Sequence, residues 1–394
     1  MTQVEVLEAV GMQGDEAVAE AVKQCDVDVV AAYPITPQTI IVEKLAEFVA
    51  NGEFTGEFVP VESEHSALSA CLGASATGAR VFTATSSQGL ALMHEVLYNV
   101  AGMRLPVVMA VANRALSAPL VLHADHGDMM GSRDAGWIQI YAENVEEIYD
   151  RTIQLFRLSE DPRVMLPSAI NFEGFVLSHG MERVRPLRGE TIRKFVRRPA
   201  FGRRLEPDAP TSFGAMVTPK DYYGCKMQQA EAMKNALGVF KEVENEFEMF
   251  SGRRYGAVND YNTEGADTIA VVIGCSAGTM RTAARVVNRD GGNVGVLAIK
   301  LYRPFPVEEV VSHLRNARTV VVMDRSVSLG APACPLAEDV KTCLGDARLD
   351  SRITSVAYGI GGNDLGVEDG KKIFDIAENK ARFGAGPIMY GMET

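Results

Sequence analysis

A chain of 394 residues is longer than one ordinary hydrophobic core supports, so the length predicts two domains. With 47% hydrophobic and 23% charged residues, the composition is that of a globular protein with a large core. The net charge of −12 argues against nucleic acid or an anionic membrane as the main partner.

Several classes of protein are excluded by short-range patterns. The opening segment MTQVEVLEAVGMQGDEA is acidic and has no long apolar run, so we expect no secretory signal. No apolar stretch reaches the roughly 18 residues of a membrane span, and we expect a cytoplasmic protein. The six cysteines contain no CxxC pair, the spacing that zinc sites and iron–sulfur clusters use. The sequence therefore predicts no metal or cluster on this chain.

In the first part of the chain, short apolar runs alternate with helical patterns. A buried strand, DVDVVAA, precedes an amphipathic helix that carries Ile40, Ile41, Leu45 and Val49 on one stripe. The alternation continues through the predicted strands EFVPV, ARVFTATSS, PVVMAVAN, WIQIYAE and VMLPSAIN. Nearly continuous apolar strands that alternate with helices predict a parallel sheet covered on both faces. Ligands of such sheets bind beyond the carboxyl ends of the strands.

The middle of the chain changes character. Residues 183–222 are rich in Arg, Pro and charge, and we expect an extended connection there, followed by a long helix over roughly 224–252. Strand–helix alternation then resumes, and YRPFP (302–306) is predicted to be a fixed turn that packs between domains. The predicted architecture is α/β, with a first domain over residues 1–252 and a smaller α/β domain over residues 253–394.

Four strand ends of the first domain carry polar or constrained residues: YPITP, PVESEHSA, TSSQG and NRALSAP. Because the carboxyl ends of neighbouring parallel strands meet at one edge, we expect these ends to converge. In YPITP, Pro34 and Pro37 bracket Thr36 and hold it extended. This threonine either stops a strand or presents its hydroxyl to a ligand.

Two of the strand ends lead directly into helices. Glu64 opens a helix of very small residues, where a carboxylate either caps the helix or faces a cofactor that the small residues let approach. TSSQG places Ser87 and Gln88 at a strand-to-helix turn. That turn is either a plain N-cap or a place where free backbone N–H groups contact a ligand.

Arg114 emerges from a buried strand and needs an anionic partner, because an unpaired buried charge is costly. The partner is either one of the chain's own acids or a ligand carboxylate, which a planar guanidinium binds in a bidentate way. The loop that follows, LHADHGDMMGSRD, contains Asp125, His126 and Asp128. These are metal-ligand types, but without a second motif the polar, glycine-containing loop favours an active-site loop.

The chain resembles the α subunit of the 2-oxoacid:ferredoxin oxidoreductases, most of all the pyruvate enzymes. The resemblance covers essentially the whole chain and is carried, in order, by AAYPITPQT, VPVESEHSA, FTATSSQGLALMHE, NRALSAP, RDAGWIQIYAEN and LYRPFPVEE. It implies a parallel-sheet thiamine-diphosphate (pyrimidine) binding domain followed by a smaller transketolase-C-terminal-like domain. It also implies reversible, CoA-dependent oxidative decarboxylation of pyruvate to acetyl-CoA and CO₂, with electrons passed to ferredoxin.

By this resemblance, Glu64 matches the carboxylate that hydrogen-bonds the pyrimidine ring nitrogen of the cofactor. Thr36 and Arg114 match the residues that hold the carboxylate of the 2-oxoacid. The remaining site candidates are two cofactor-binding residues and three residues of a predicted active-site loop: Ser87, Gln88, Asp125, His126 and Asp128.

The resemblance also implies that the chain works only with partners. A β subunit is expected to supply the diphosphate and Mg²⁺ contacts, because this chain has no GDG motif with a downstream Asn in its first domain. The [4Fe-4S] clusters are expected on partner subunits, including γ and δ (ferredoxin-like) chains. Coenzyme A is the expected co-substrate, ferredoxin the electron partner, and a dimer of hetero-oligomers the expected assembly.

Three alternatives stay open. The stretch LVLHADHGD departs from common family patterns, so 2-oxoisovalerate, phenylglyoxylate or a similar 2-oxoacid could replace pyruvate. A non-catalytic scaffold subunit with the same fold predicts no thiamine at an interface between α and β subunits. A simple nucleotide- or small-molecule-binding α/β protein predicts ligand binding by the isolated chain.

Overall fold

The computed structural model describes residues 6–198, 202–378 and 386–391. Within these ranges the chain forms two large sheets with helices on their faces, and a two-stranded ribbon beside the first sheet. The prediction of an α/β fold with parallel sheets is confirmed. None of the helices in these ranges is long and apolar enough to cross a membrane.

The first unit runs to the end of a 33-residue helix. Its elements in chain order are β1 (Val10–Gln13), α1 (Gly14–Gln24), β2 (Val29–Ala32), α2 (Thr39–Ala50), β3 (Glu57–Pro60), α3 (Glu64–Ala76), β4 (Val81–Thr85), α4 (Ser87–Leu92), α5 (His94–Gly102), β5 (Val108–Asn113), α6 (Gly127–Met130), β6 (Ile138–Tyr141), α7 (Val145–Ser159), β7 (Ser168–Glu173), β8 (Met181–Val184), α8 (Gly189–Val196) and α9 (Pro219–Ser251).

The first sheet has the strand order β12-β6-β7-β5-β4-β2-β3, where β12 comes from the second unit. Every neighbouring pair from β6 to β3 is parallel. The strands β2, β4 and β5 are therefore consecutive, and their carboxyl ends lie side by side. This order brings the predicted polar strand ends to one edge.

Helices cover both faces of this sheet, which is why strands such as VMAVAN are buried along their whole length. On one face, α1, α7 and the second half of α9 share a core that includes Val18, Ile148 and Phe240. On the other face, α3 and α5 contribute Leu68 and Leu97 to a separate core. Both faces of the sheet are therefore packed against helices, which fixes the positions of the strand ends.

Two segments differ from the prediction. The N-terminal segment, for which no element was predicted, forms β1 and α1, and α1 buries Ala17, Val18, Ala21 and Val22. Residues 183–222 were predicted to be extended, but β8 pairs with β1 and α8 buries Ile192, Phe195 and Val196. The apolar residues of these short elements are small or widely spaced, so the sequence shows only a weak periodic pattern. Contacts with distant parts of the chain stabilise the elements.

The second unit contains, in chain order, β9 (Val258–Tyr261), β10 (Thr268–Ile273), α10 (Ser276–Arg289), β11 (Val294–Ile299), β12 (Leu301–Arg303), α11 (Val307–Leu314), β13 (Thr319–Asp324), α12 (Pro335–Asp346), β14 (Arg352–Ala357), α13 (Val367–Glu378) and β15 (Ile388–Met389). Its sheet has the order β15-β14-β13-β10-β11-β9, parallel except for the edge strand β9.

The two units share one sheet. The strand β12 begins one residue before the predicted YRPFP turn and includes its first two residues. It pairs antiparallel with β6 of the first unit, with Leu301 opposite Ile140. The segment was predicted to be a turn between domains, and it lies between them as an added strand. The boundary between residues 252 and 253 stays a prediction.

Candidate functional site

Three predicted site residues meet where the chain leaves β2, β4 and β5. The Arg114 guanidinium donates from Nη1 to the Thr36 carbonyl oxygen at 2.6 Å. It donates from Nη2 to the Gln88 Oε1 atom at 2.8 Å. The strand order therefore joins residues that are 78 and 26 positions apart in the sequence. The Thr36 side chain lies at an exposed position of this edge.

The Arg114 guanidinium has no acidic hydrogen-bond partner among the described residues. The residue is only 6% exposed, its Nε atom has no hydrogen-bond partner, and no salt bridge to it occurs among the described residues. Burial lowers the pKa of Arg114, although the negative charges of Asp128 and Glu64 oppose that effect. The guanidinium is thus a buried cation that neutral oxygens hold in place, rather than half of an internal ion pair.

Glu64 is the first residue of α3, but it does not cap that helix. The cap is Ser63, whose hydroxyl accepts a hydrogen bond from the Ser66 backbone N–H at 3.2 Å. The Glu64 side chain is 7% exposed, and no donor among the described residues hydrogen-bonds its carboxylate. Of the two explanations for this acid, helix capping is not the one that the structure adopts.

The absence of a side chain at Gly89 leaves room for the Glu64 carboxylate. A Cβ atom on Gly89 would lie 2.7 Å from Glu64 Oε1 and 2.5 Å from Thr85 Oγ1. The Thr85 hydroxyl is buried, and within the described part of the chain it has no hydrogen-bond partner. A carboxylate and a hydroxyl with unused hydrogen-bonding capacity therefore lie against one glycine at the end of β4.

These residues fit a pyrimidine ring. An unpaired carboxylate can accept a hydrogen bond from a protonated ring nitrogen, and burial in a narrow site strengthens such a bond. The exposed residues Ser69 and Gly73 lie on the other face of α3, away from Glu64, and a Cβ atom on Gly73 would meet nothing within 4 Å. That outer face of α3 is open for another polypeptide.

Ser87, predicted to bind the cofactor, uses its polar groups within the chain, and its cofactor role stays a prediction. Its backbone N–H donates to Asp128 Oδ2 at 3.0 Å, so this N–H is not free to bind a ligand. The Ser87 hydroxyl is buried and donates to the Ala115 carbonyl at 2.5 Å, with Gln88 Oε1 at 2.6 Å. Both polar groups of this serine serve the interior of the chain.

The predicted active-site loop also turns inward, because Asp125, His126 and Asp128 are all buried. Asp125 accepts hydrogen bonds from the Gly127 N–H at 2.7 Å and from the Gly361 N–H of the second unit at 3.2 Å. Burial raises the pKa of Asp125, and these two hydrogen bonds oppose the rise. These three side chains therefore point into the chain, and the prediction that they belong to an active-site loop stays a prediction.

His126 belongs to a contact between the two units that the sequence did not reveal. Its Nε2 atom lies 3.1 Å from Glu173 Oε1, and the Cys275 N–H of the second unit donates to the same oxygen at 3.0 Å. Burial alone raises the pKa of Glu173, but the hydrogen bond and charge of His126, with Arg325, lower it overall. In the sequence, the only indication of this contact is that an acidic residue, Glu173, ends the apolar strand SAINFE.

Two further observations delimit the site. Among the described residues, no three His, Cys, Asp or Glu side chains are grouped closely enough to hold a metal ion. A cavity of about 910 Å³ is lined by Leu105 and Pro106, just before β5, and by Met165, just before β7. It lies at the amino ends of the strands and includes none of the predicted site residues.

Comparisons with known proteins agree on one family. The family model of the thiamine diphosphate-binding domain of pyruvate flavodoxin/ferredoxin oxidoreductase matches residues 20–245. The model of pyruvate:ferredoxin oxidoreductase core domain II matches residues 266–369.

Relatives match along almost the whole chain. The chain is 46% identical over 376 residues to the pyruvate synthase subunit PorA of Thermotoga maritima, covering 95% of each protein. It is 46% identical over 369 residues to PorA of Methanocaldococcus jannaschii, covering 93% of this chain and 94% of that protein. It is 41% identical over 365 residues to the ketoisovalerate oxidoreductase subunit VorA of Pyrococcus abyssi, covering 92% and 91%.

Solved structures share the fold at low sequence identity. A 2-oxoglutarate:ferredoxin oxidoreductase from Magnetococcus marinus, with 2-oxoglutarate, coenzyme A and succinyl-CoA bound, is similar with a TM-score of 0.69 and 18% identity. The match covers 95% of this chain but 65% of that one. A split-gene transketolase is similar with a TM-score of 0.57 and 14% identity, over 94% of this chain and 99% of that one.

Proposed function

Since the chain belongs to the pyruvate:ferredoxin oxidoreductase family, we propose that it is the α subunit of a thiamine-diphosphate-dependent complex that oxidatively decarboxylates pyruvate. The observation that carries the proposal is that Arg114, Thr36 and Gln88 meet at the carboxyl edge of the first sheet, with the unpaired Glu64 carboxylate against Gly89 of the same turn. We call the space between these residues the cleft. The products are acetyl-CoA and CO₂, the electrons pass to ferredoxin, and the reaction is reversible.

Arg114 and Thr36 bind the carboxylate of the 2-oxoacid. Two of the N–H groups of the Arg114 guanidinium are used by Thr36 and Gln88, which leaves the other three of its five N–H groups for an anion. A charged hydrogen bond in a water-poor cleft both attracts and orients the substrate. The Thr36 hydroxyl adds a donor from a segment whose dihedral angles two prolines restrict.

Glu64 binds the cofactor. Thiamine diphosphate supplies, when bound, a nucleophilic carbon for the keto group and a sink for the electrons that decarboxylation leaves. The Glu64 carboxylate accepts a hydrogen bond from the pyrimidine ring nitrogen and so favours the protonated ring. Gly89 keeps the space beside this carboxylate clear. Gln88, the residue before it in the same turn, contributes a second contact to the cofactor.

Partner subunits complete the site. The β subunit supplies the diphosphate and Mg²⁺ contacts, and γ and δ subunits carry [4Fe-4S] clusters toward ferredoxin, with coenzyme A as co-substrate. Large apolar side chains exposed on the cleft side support such a partner: Tyr33, Leu116, Leu120 and Leu122. The complex is proposed to be a cytoplasmic dimer of hetero-oligomers.

Pyruvate is preferred over other 2-oxoacids because both relatives at 46% identity are pyruvate synthase subunits. Other pyruvate synthase subunits are 40–42% identical, the same range as the ketoisovalerate relative at 41%. The roles of Arg114, Thr36 and Glu64 are the same for any 2-oxoacid, since they concern the carboxylate and the cofactor. Substrate choice therefore depends on the part of the cleft that receives the rest of the substrate.

The test is to purify the native complex that contains this chain and to follow CoA-dependent viologen reduction. The values of kcat/KM for pyruvate, 2-oxoisovalerate and phenylglyoxylate are then compared. We expect pyruvate to exceed the others at least tenfold, a difference of about 1.4 kcal/mol. Higher values for another 2-oxoacid would overturn the substrate assignment. A complex with neither thiamine nor activity would indicate a scaffold, and ligand binding by the isolated chain would indicate a simple binding protein.

A further inference from the structure

A single buried carboxylate holds the ends of two neighbouring strands. Asp128 is 4% exposed, and its Oδ2 atom accepts hydrogen bonds from the backbone N–H groups of Ser87 and Arg114, both at 3.0 Å. Its Oδ1 atom accepts hydrogen bonds from Asn113 Nδ2 at 2.8 Å and from the backbone N–H of the next residue, Met129, at 2.7 Å. All four donors are N–H groups, and two of them belong to residues at the substrate cleft.

These hydrogen bonds act where both strands leave the sheet. Ser87 follows β4 and Arg114 follows β5, so Asp128 joins two neighbouring strand ends that no longer pair with each other. Ser87 has a φ of +46°, in the left-handed region that is unfavourable for a residue other than glycine. Such a turn persists only when its surroundings hold it, and Asp128 supplies one of those contacts.

The segment that carries Asp128 is itself fixed by the second unit. The His126 backbone N–H donates to the Arg325 carbonyl at 2.8 Å, and its ring lies 3.1 Å from Glu173. Asp125 accepts from the Gly361 N–H at 3.2 Å. Residues 125–128 therefore connect the second unit to the backbone of Ser87 and Arg114.

We propose that Asp128 is a positioning residue for the 2-oxoacid: it fixes the backbone of Arg114 and Ser87, and so sets where the Arg114 guanidinium and the Gln88 amide lie in the cleft. The name of the substrate rests on the proposed function, whereas the backbone clamp rests on the hydrogen bonds alone. Asp128 does not touch the substrate. It acts through Arg114, whose misplacement by a fraction of a hydrogen-bond length weakens carboxylate binding.

Asp128 is charged under assay conditions. Burial raises the pKa of Asp128 to about 6, although the four N–H donors oppose the rise. At neutral pH the carboxylate is therefore ionised, and each hydrogen bond to it is stronger than one between neutral groups. Asparagine at this position has one side-chain oxygen to accept from the four N–H donors that the two carboxylate oxygens now serve. Alanine has no side-chain acceptor.

The test uses the Asp128→Asn and Asp128→Ala variants of the purified complex. Asp150→Asn and Asp150→Ala are the matched controls. Asp150 is a buried carboxylate of α7 that accepts from Arg253 and Tyr255, and burial raises its pKa to about 6 as well. Asp150 contacts no residue of the cleft. Each variant is examined by backbone hydrogen exchange at Ser87 and Arg114, and by steady-state kinetics with the 2-oxoacid.

We expect exchange at Ser87 and Arg114 to accelerate at least tenfold in Asp128→Ala, and by a smaller factor in Asp128→Asn. The KM for the 2-oxoacid should rise about tenfold in Asp128→Ala, while kcat falls less than threefold and the thiamine requirement stays unchanged. The Asp150 variants should lose thermal stability without either change. If the complex with Asp128→Ala does not assemble, the exchange rates and KM of the Asp128→Asn complex decide the test.

Unchanged exchange in an assembled Asp128 variant would overturn the clamp, whatever the activity of the complex. Faster exchange with an unchanged KM would overturn the link to substrate binding. A wild-type complex without 2-oxoacid activity contradicts the proposed function instead, and the exchange measurement still decides whether the clamp exists.

Discussion

Two groups of polar side chains lie close together at the carboxyl edge of the first sheet, and they use their hydrogen-bonding capacity in opposite ways. The cleft group, Thr36, Glu64 and Arg114, keeps much of it unused: the Glu64 carboxylate and the Arg114 Nε atom have no partner among the described residues. The interior group is Asp125, His126 and Asp128. Its carboxylates accept two and four N–H groups, and the His126 ring meets Glu173.

The difference shows where a ligand is needed. A buried polar group without a partner costs roughly 1–3 kcal/mol, so such a group is a place where a ligand, another chain or water can supply the missing hydrogen bond. The interior group already has its partners and contributes to the fold and to the position of Arg114. Residue types alone do not separate the groups, because each contains an acid and a basic side chain. The contrast predicts that changes in the cleft group act directly on turnover, whereas changes in the interior group act on stability and, at Asp128, on substrate binding through the position of Arg114.

Replacing Glu64 by glutamine gives the largest expected effect on turnover. The carboxylate makes no hydrogen bond within the described chain, so stability should change by less than about 0.5 kcal/mol, as for substitutions without a structural role. Loss of the charge that favours the protonated pyrimidine should lower kcat by roughly a hundredfold or more. Viologen reduction and thermal unfolding of the complex measure both quantities.

The control for this variant is Glu62→Gln. Glu62 is an exposed acid two positions earlier that hydrogen-bonds Ser66 at 2.5 Å, and its loss should leave kcat unchanged. If Glu64→Gln keeps turnover within about twofold of wild type, its place in the cleft group is wrong.

The sequence predicted the parallel sheet and the meeting of its strand ends, because continuous apolar strands and short turns are local signals. It did not predict that β12 of the second unit joins the first sheet, since three residues of strand carry almost no pattern. It also missed α1, whose buried positions are mainly alanine and valine.

The site was harder to predict than the fold because the direction of a side chain depends on distant neighbours. Asp128 has the same local sequence signal whether it faces a cleft or a strand end, and its partners Ser87 and Asn113 are 41 and 15 residues away. Glu173 acquires its role only when the Cys275 N–H of the second unit reaches it. Gly274 permits this approach, since a Cβ atom there would lie 2.0 Å from Glu173 Oε1.

Replacing Arg114 by lysine keeps the positive charge of the cleft group but removes the planar guanidinium. A lysine cannot donate to Thr36 and Gln88 and at the same time present a fork to a carboxylate. We expect the KM for the 2-oxoacid to rise roughly 10- to 100-fold, as for the loss of one charged hydrogen bond worth about 1.5–3 kcal/mol. Steady-state kinetics measure the change. Arg133→Lys, at a surface arginine paired with Glu338 at 3.0 Å, should leave KM unchanged; an equal rise in both variants would contradict the assignment.

Gly89→Ala should disturb the cleft without removing any functional group. The added Cβ atom would lie 2.7 Å from Glu64 Oε1 and 2.5 Å from Thr85 Oγ1, so one of these side chains must move. We expect kcat to fall about tenfold and the unfolding free energy to fall by roughly 1–3 kcal/mol, as for other overpacked sites. The control is Gly238→Ala in α9, where a Cβ atom meets nothing within 4 Å and stability should not fall. An unchanged kcat in Gly89→Ala would mean that the position of Glu64 is not critical.

Glu173→Gln tests the other side of the comparison and should have the smallest effect on turnover. The buried carboxylate interacts with His126 and accepts from the Cys275 N–H, and these contacts join the units without touching the cleft. We expect kcat and KM to change less than threefold, while the unfolding free energy falls by roughly 1–3 kcal/mol.

The pH dependence of that stability loss has a defined sign. Burial raises the pKa of Glu173, but the hydrogen bond and charge of His126 together with the charge of Arg325 outweigh it, so the folded-state pKa is lowered. Its contribution is therefore present above the ordinary glutamate pKa of about 4.3 and is lost as the pH falls below that value. Denaturant unfolding of wild type and Glu173→Gln should give a difference that shrinks toward zero in that acidic window. A difference that grows with falling pH, or a large loss of turnover at neutral pH, would remove the distinction between the two groups, because Glu173 would then act on the cleft itself.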